Sequence, residues 1–366
     1  MKVSVNKDTL LAVINRVQRA LPSKPTDPAM SAIRINISEV NGSHLATAEA
    51  YDGEYYIKGS FPVTLTGDAE ELRPSGLIFS ALVKDLPDGE ISLELSGSQI
   101  LVTAGKGKFK VPQLGTSPLD PSTLTKPAIV GSVGGEVFAD AISKVIASAS
   151  TNNTLPVLNS VKIEAKKDKL ILVATDRYRL SKVELPFERK IDEEKSLLVP
   201  TKVIMDVARA YSKSLKIEIG MSDTLGFISG DGVETTYRVI GGTFPDYNKI
   251  LTENQMAKVT FDSEEFKGAL KRVSKFNNEA VKLTISKESI TLSNSQTENG
   301  EGSEEISASS SLEESFTISY NPQYLASSLN HMSGLVTFSY EGSTKPATLT
   351  TEKDKNYLNL IMPVSR

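Results

Sequence analysis

The chain has 366 residues, 39% hydrophobic and 23% charged, the make-up of a globular protein too long for one ordinary domain and sufficient for two or three. With no cysteine and only His44 and His331, it excludes disulfides and thiolate metal sites and leaves little for histidine chemistry, so no metal and no cofactor is expected. The net charge of −4 does not mark a nucleic-acid binder; the absence of a long apolar run and of a secretory leader in "MKVSVNKDTLL" leads us to expect a cytoplasmic protein with no membrane partner.

From Lys2, "KVSVNKDTLLAVINRVQRAL" reads as a short strand, a polar turn and an amphipathic helix over 7–20, its apolar residues three or four apart. "LIFSALVKDLPDGEISLEL" from Leu77 reads as a strand end, a helix over 79–86 and a return to strand. "SLELSGSQILVTA" alternates as strands do, and "KGKFKVP" is basic and β-rich. "GTSPLDPSTLTKP" (115–127) is a linker by its Pro, Ser and Thr content. The first block then recurs as "VGSVGGEVFADAISKVIASA" from Val130, with a helix over 136–150. "KLILVA" is a core strand that runs into the polar "TDRYRL". The second block recurs as "LLVPTKVIMDVARAYSKSLKIEI" from Leu197, with a helix over 201–213, and "PDYNKILTENQ" (245–255) is the next linker.

A third copy opens with "KVTFDSEEFKGALKRVSKF" from Lys258, helix 263–275, followed by the alternating "VKLTISKESITLS". "SQTENGEGSEE" (295–305) reads as an acidic, mobile hairpin tip. "FTISYNPQYLASSLNHMSGLVTFSY" from Phe316 supplies the last helix, 322–332, and "YLNLIMPV" the last strand. A threefold repeat of this length implies three α+β domains, near 1–125, 126–252 and 253–366. Each is built from two strand–helix–strand–strand–strand units.

The repeats supply an internal control. "PAMSAI" (28–33) aligns with "PVLNSV" (156–161) at an offset of 128, and "AYDGEYY" (50–56) with "ATDRYRL" (174–180) at 124. Asp52 and Asp176 are therefore equivalent, which favours a turn carboxylate accepting backbone N–H bonds over a catalytic acid. Special function belongs where the copies differ: Gly53-Glu54-Tyr55 becomes Arg177-Tyr178-Arg179. In the last strand Leu358, Leu360 and Met362 alternate as core residues do, while Pro363 and Val364 lie beyond the pattern. Ordinary core and an adaptable, Met-containing peptide pocket both remain open there.

"LPVLNSVKIEA", "LILVATDRYRL", "GGTFPDY", "YNPQYL" and the terminal "LIMPV", in this order on a threefold repeat, make the chain resemble the bacterial sliding clamp family, the β subunit of DNA polymerase III. The resemblance covers essentially the whole chain. It implies a head-to-tail homodimer whose six domains close into a ring, with helices lining a hole around double-stranded DNA, sheets outside, and no reaction catalysed. Charge offers an independent check: the six helices sum to +5 within a chain of −4, leaving −9 elsewhere, as a DNA-encircling layer requires. An excess of Lys and Arg as good helix formers is the plainer alternative.

Arg16, Arg19, Lys202, Arg209, Lys267 and Lys271 are DNA-contact candidates by helix position, and Lys24 and Asn152 match contacting positions of the family. Phosphate contacts of this kind carry no base sequence. The resemblance further implies a cleft between domains 2 and 3 that captures short motifs from the replicative polymerase α subunit, the clamp loader δ subunit and other clamp-motif proteins. Matching positions are Leu158, Thr175, Arg177, Tyr178, Arg179, Leu180, Pro245, Lys249, Ile250, Asn321, Tyr324, Leu360, Ile361, Met362, Pro363 and Val364. Leu158, Leu180, Ile250 and Met362 would form the floor, Arg179 and Asn321 would bind peptide backbone or a glutamine, and Tyr324 would close a wall. At the dimer edge, Phe109 and Val111 would bury against the partner's domain 3, where Val273 and Phe276 are candidates.

Three stretches depart from the family pattern: Leu155-Pro156-Val157 at the DNA side, Arg177-Tyr178 at the cleft, and the ending "PVSR". The competing classes are an enzyme and a monomeric peptide-binding adaptor. "TAGKGKF" lacks the glycine spacing and the Ser or Thr of a phosphate-binding loop, and no G-x-S-x-G or H-E-x-x-H occurs.

Overall fold

The computed structural model describes residues 1–251, 257–295, 298 and 300–364. The first third runs β1 (Lys2–Asn6), α1 (Lys7–Val17), β2 (Arg34–Val40), β3 (Ser43–Tyr51), β4 (Tyr55–Thr66), α2 (Gly76–Asp85), β5 (Glu90–Ser96), β6 (Gln99–Ala104) and β7 (Gly107–Pro112). The second runs β8 (Ile129–Val133), α3 (Gly135–Ile146), β9 (Ser160–Lys166), β10 (Lys169–Thr175), β11 (Arg179–Pro186), β12 (Glu188–Arg189), β13 (Lys195–Pro200), α4 (Thr201–Tyr211), β14 (Ile217–Met221), β15 (Leu225–Gly230) and β16 (Val233–Arg238). The last runs β17 (Ala257–Asp262), α5 (Ser263–Val273), β18 (Val281–Ile285), β19 (Ser289–Ser293), β20 (Ser303–Ser310), β21 (Phe316–Tyr320), α6 (Pro322–Leu329), β22 (Leu335–Tyr340), β23 (Ala347–Thr351) and β24 (Asp354–Ile361).

Local chemistry explains the boundaries. Asn6, Asp262 and Asn321 stand immediately before α1, α5 and α6, and each side chain accepts two backbone N–H groups of the first turn. Such a cap contributes about 1 kcal/mol. At the start of α3, a side chain on Gly135 would collide with the Tyr211 carbonyl oxygen, so only glycine fits this close approach. Apolar spacing of three and four buries Leu10, Val13, Ile14 and Val17 on α1, and Phe266, Ala269, Leu270 and Val273 on α5.

Two expectations are corrected. Leu77 to Phe79 form the first turn of α2 rather than a strand end; only isolated bridges at Leu72, Pro74 and Ser75 precede it. The stretch 245–251 is no free linker, because Tyr247 and the preceding Phe244 are buried. Residues 252–255 of that linker and 296, 297 and 299 of the acidic loop lie outside the described residues, as do Ser365 and Arg366 of the "PVSR" ending.

The chain packs as two compact units. One gathers Met1–Ala139, Glu188–Leu197 and Lys202–Val239. Its sheet has the order β12–β8–β14–β15–β16–β4–β1–β5–β6–β7, and β3 and β2 continue from β4. The other gathers Asp140–Phe187, Leu198–Thr201 and Ile240–Arg366. Its sheet runs β9–β10–β11–β24–β23–β22–β17–β20–β19–β18–β21. Each unit thus contains a joint at which one repeat pairs edge to edge with another: β4 with β16 in the first, β11 with β24 in the second. Among the described residues, no helix is long and apolar enough to cross a membrane.

Candidate functional site

The stretch 170–180 folds as expected up to Thr175. Leu170, Leu172 and Ala174 are fully buried, and Thr175 pairs with Leu180 across the hairpin to β11. Asp176 then makes an Asx turn: its Oδ1 accepts the N–H groups of Tyr178 and Arg179, both at 3.0 Å. Asp52 accepts those of Glu54 and Tyr55 at 2.9 and 3.0 Å in the sister hairpin. Asp176 is thus a turn carboxylate. Thr175 belongs to the same device: its hydroxyl donates to the Arg179 carbonyl and accepts from the Arg177 N–H. It is buried and presents nothing to a ligand.

Arg177 adopts φ +81°, where the sister hairpin has Gly53 at +99°. A side chain in this region costs roughly 1 kcal/mol, which glycine avoids. Tyr178 is exposed and stacks on Tyr324 with ring centroids 6.4 Å apart. Its carbonyl accepts the Met362 N–H at 2.7 Å, which fixes the chain beyond β24 against the turn.

Arg179 is committed within the fold, correcting its expected role as a peptide ligand. Its Nε donates to Asp176 at 2.9 Å and its Nη1 to the Ser327 hydroxyl at 2.5 Å. Its guanidinium also lies 4.5 Å from the Tyr324 ring centroid. Burial, then the Asp176 charge, pushes the Tyr324 hydroxyl pKa above its ordinary value. Asn321 spends its Oδ1 as the cap of α6, accepting the N–H groups of Gln323 and Tyr324, which leaves its Nδ2 as the donor a ligand can meet.

Beneath the hairpin, Ile171, Val173, Leu180, Leu198, Phe244, Tyr247 and Leu360 form one buried cluster, flanked by Val157, Ile240 and Leu251. Period-two alternation explains it, since Leu180 pairs with Leu360 on the face away from Ile361. Ile361 is fully buried behind the sheet, and that expectation fails. Leu158 and Leu180 are sealed at 8% and 2% exposure, so the floor a ligand meets is shallower than expected. Ile250 and Val364 are exposed, and Pro245, Met362, Pro363 and Tyr324 are half-buried. Lys249 is exposed and pairs loosely with Asp246 at 3.4 Å.

Sequence reading missed Glu164, a buried carboxylate under the 240–251 stretch. It accepts from the Tyr247 hydroxyl and pairs with Lys162 at 2.9 Å and Lys166 at 3.2 Å. Burial raises its pKa, but the Tyr247 and lysine hydrogen bonds prevail and hold it below the ordinary carboxylate value. Glu164 alternates in phase with Lys162 and Lys166 in "VKIEAKK", on the polar face of the strand, so the sequence carried no signal of its burial.

The DNA-contact candidates divide. Arg16 is not free: it pairs with Asp231 at 2.8 Å, donates to the Gly230 carbonyl, and lies over the Tyr211 ring. Its counterpart 128 residues on, Lys144, pairs with Asp354 and lies over Tyr357 in the same way. Lys267 is mostly buried and engages Glu264 and the Met332 carbonyl. Arg19 is one-third exposed, 3.9 Å from Asp206. Lys202 and Arg209 are 67% and 60% exposed and only loosely paired, with Asp52 at 3.7 Å and Asp206 at 3.9 Å. Lys24, Asn152 and Lys271 are exposed, though Asn152 spends its Oδ1 on Thr154. Lys213 and Lys275, just past α4 and α5, are also exposed but were not singled out.

At the expected dimer edges, Phe109 and Phe276 are 40% and 37% exposed. Val111 and Val273 are core residues at 1% and 2%, so their side chains are not offered to a partner.

Three family models match in succession: the N-terminal domain of the DNA polymerase III beta subunit over 1–119, its central domain over 132–246, and its C-terminal domain over 248–365. The beta sliding clamp of Streptomyces coelicolor is 28% identical, aligning over 100% of this chain and 99% of its own. That of Staphylococcus aureus is 26% identical with the same coverage. Among solved structures, the DNA polymerase III beta subunit of Thermotoga maritima shares the fold at TM-score 0.90 and 24% identity, covering 100% of this chain and 99% of that one. The Pseudomonas aeruginosa sliding clamp, crystallised bound to griselimycin, shares it at TM-score 0.91 and 20% identity over the whole of both chains. With three domain models in order along a fold of edge-joined repeats, the chain belongs to the DNA polymerase III β subunit family, the bacterial β sliding clamps.

Proposed function

We propose that two copies of this sliding clamp close head to tail into a ring around duplex DNA, with domains 1–125, 126–252 and 253–366 as the repeating element. The observation that carries the reading is an open joint. The strand after the Asx hairpin of one repeat pairs with the last strand of the next: β4 with β16, and β11 with β24. The third such pair would be β20 with β7. Among the described residues, β20 between Ser303 and Ser307 pairs only with β19, and β7 only with β6. Unpaired edges of this kind invite a second chain, and a closed ring satisfies both.

Carrying the β4–β16 register over to the open edges sets Glu305 opposite Lys108 of the other copy and Glu304 opposite Phe109. The in-chain counterpart of Glu305–Lys108 is Lys58–Glu234, an ion pair at 3.1 Å with its signs exchanged. Phe276 packs against Gly302 beside this edge and joins Phe109 in the interface. Lys24, Asn152, Lys202, Arg209, Lys271, Lys213 and Lys275 contact phosphates without reading bases.

The clamp tethers rather than catalyses, and it works in the cytoplasm on the nucleoid. Peptide motifs of the polymerase α subunit, the clamp loader δ subunit and other clamp-motif proteins dock between the 176–179 turn, Tyr324, Ile250 and the tail Met362–Val364. The test is charge exchange at the open joint. Lys108→Glu or Glu305→Lys weakens self-association by roughly tenfold, because each ring has two joints. The double exchange restores the dimer and its retention on nicked circular DNA, read by sedimentation and gel filtration. A monomeric wild type that slips off circular DNA, or a double exchange no better than the singles, defeats the proposal.

A further inference from the structure

We infer that Arg177 is a specificity-determining residue of the cleft, reading a carboxylate side chain of the docked peptide next to its apolar anchors. This rests on the peptide-cleft reading above and goes beyond it, because it names the chemistry the partner must present.

Three observations converge. Arg177 sits at φ +81°, a conformation its sister hairpin gives to glycine, so the arginine is held at a conformational cost the turn does not require. Its side chain is exposed and has no ion pair or side-chain hydrogen bond among the described residues. The neighbouring charges are already spent: Asp176 on Arg179, Glu164 on Tyr247 and two lysines, and Asp246 on Lys249. A guanidinium left over in this way gives the mouth a net positive charge. Tyr178, the next residue, carries the carbonyl that anchors Met362, so the Arg177 backbone stands one residue from the apolar rim. A guanidinium there favours a carboxylate for charge and for its paired donor geometry.

The test uses the full-length protein and labelled synthetic peptides with one Leu and one Phe anchor. A single aspartate is moved through every other position, each peptide matched by its asparagine counterpart. Fluorescence anisotropy at low salt finds the aspartate form roughly three- to fivefold tighter at one position or two adjacent ones, the range expected of an exposed ion pair. Added salt erodes that ratio. Arg177→Gly, which suits the backbone, brings the aspartate peptide down to its asparagine counterpart, and Arg177→Lys keeps part of the difference. Equal affinities at every position of the wild type, or a preference that survives in Arg177→Gly, overturns the inference. Equal tightening of both peptides in Arg177→Gly also overturns it, since the arginine is then only an obstacle. Failure of every peptide to bind wild type instead refutes the cleft itself.

Discussion

The β4–β16 and β11–β24 joints are two executions of one design. Both begin at an Asx turn, Asp52 in one and Asp176 in the other. Both run antiparallel over five residue pairs, from Tyr55–Tyr237 to Gly59–Val233 and from Arg179–Ile361 to Val183–Tyr357. Both are pinned by a cation at the same helix position, Arg16 to Asp231 and Lys144 to Asp354, each at 2.8 Å. They differ in what leaves the turn. Tyr55 buries its ring, and its hydroxyl meets the Arg19 carbonyl and Asp206. Arg179, in the same place, turns to Ser327 and Tyr324 and holds up an aromatic wall. Groups that bond the backbone are kept between copies, and groups that point away from it carry the specialisation.

The sharpest way to break this comparison is to remove both carboxylates. Asp176→Ala loses two N–H contacts and leaves the Arg179 guanidinium, 14% exposed, without its anion. Stranding such a charge costs about 3 kcal/mol. Asp52→Ala loses the same two contacts, but its cation, Lys202, is 67% exposed at 3.7 Å, and the cost is about 1 to 2 kcal/mol. Hydrogen exchange of the Tyr178 and Arg179 amides, against those of Glu54 and Tyr55, reads each hairpin separately. Equal losses would mean that Arg179 is not held as described.

A smaller effect separates the stretches that follow the joints. Tyr247→Phe deprives buried Glu164 of one of its three partners and costs roughly 1 kcal/mol at neutral pH. The Glu164 carboxyl lies below its ordinary value in the fold, so its stabilisation is complete above the unfolded pKa of about 4.3. It is lost as pH falls through the folded value. The gap between wild type and Tyr247→Phe should therefore be constant from about pH 5 to 8 and narrow below about pH 4. Urea midpoints across that range check it, and a gap that widens in acid contradicts the assignment.

Much of this design was legible in the sequence, because repetition turns one chain into three observations. Helix positions followed from apolar spacing, and Asp176 was recognised as a turn residue because Asp52 stood in its place. The third sister escaped: Asn294 accepts the Gly302 N–H as the two aspartates accept theirs, but a longer loop separates the pair and hides the match. Ile361 shows a different failure. Alternation in "YLNLIMPV" already sets it opposite Leu360, whereas the family pattern groups the two residues in one cleft. Arg16 and Lys267 could not be sorted from free cations, because their partners Asp231 and the Met332 carbonyl are 215 and 65 residues away in sequence. Helical position tells where a side chain starts, whereas its free energy depends on what waits at the other end.

The finest test exchanges the residues at the positive-φ position itself. Gly53→Arg forces a side chain to φ +99° where nothing lies within 4 Å of the added Cβ, so only backbone strain is measured. It should cost about 1 kcal/mol. Arg177→Gly removes the same strain but returns conformational freedom to the unfolded chain, and the two terms offset to within about 0.5 kcal/mol. Unfolding midpoints of the paired variants would show a clear loss in one hairpin and almost none in the other. A loss of 2 kcal/mol or more in Arg177→Gly would mean that the arginine holds the fold together, and its retention at a strained position would then need no ligand to explain it.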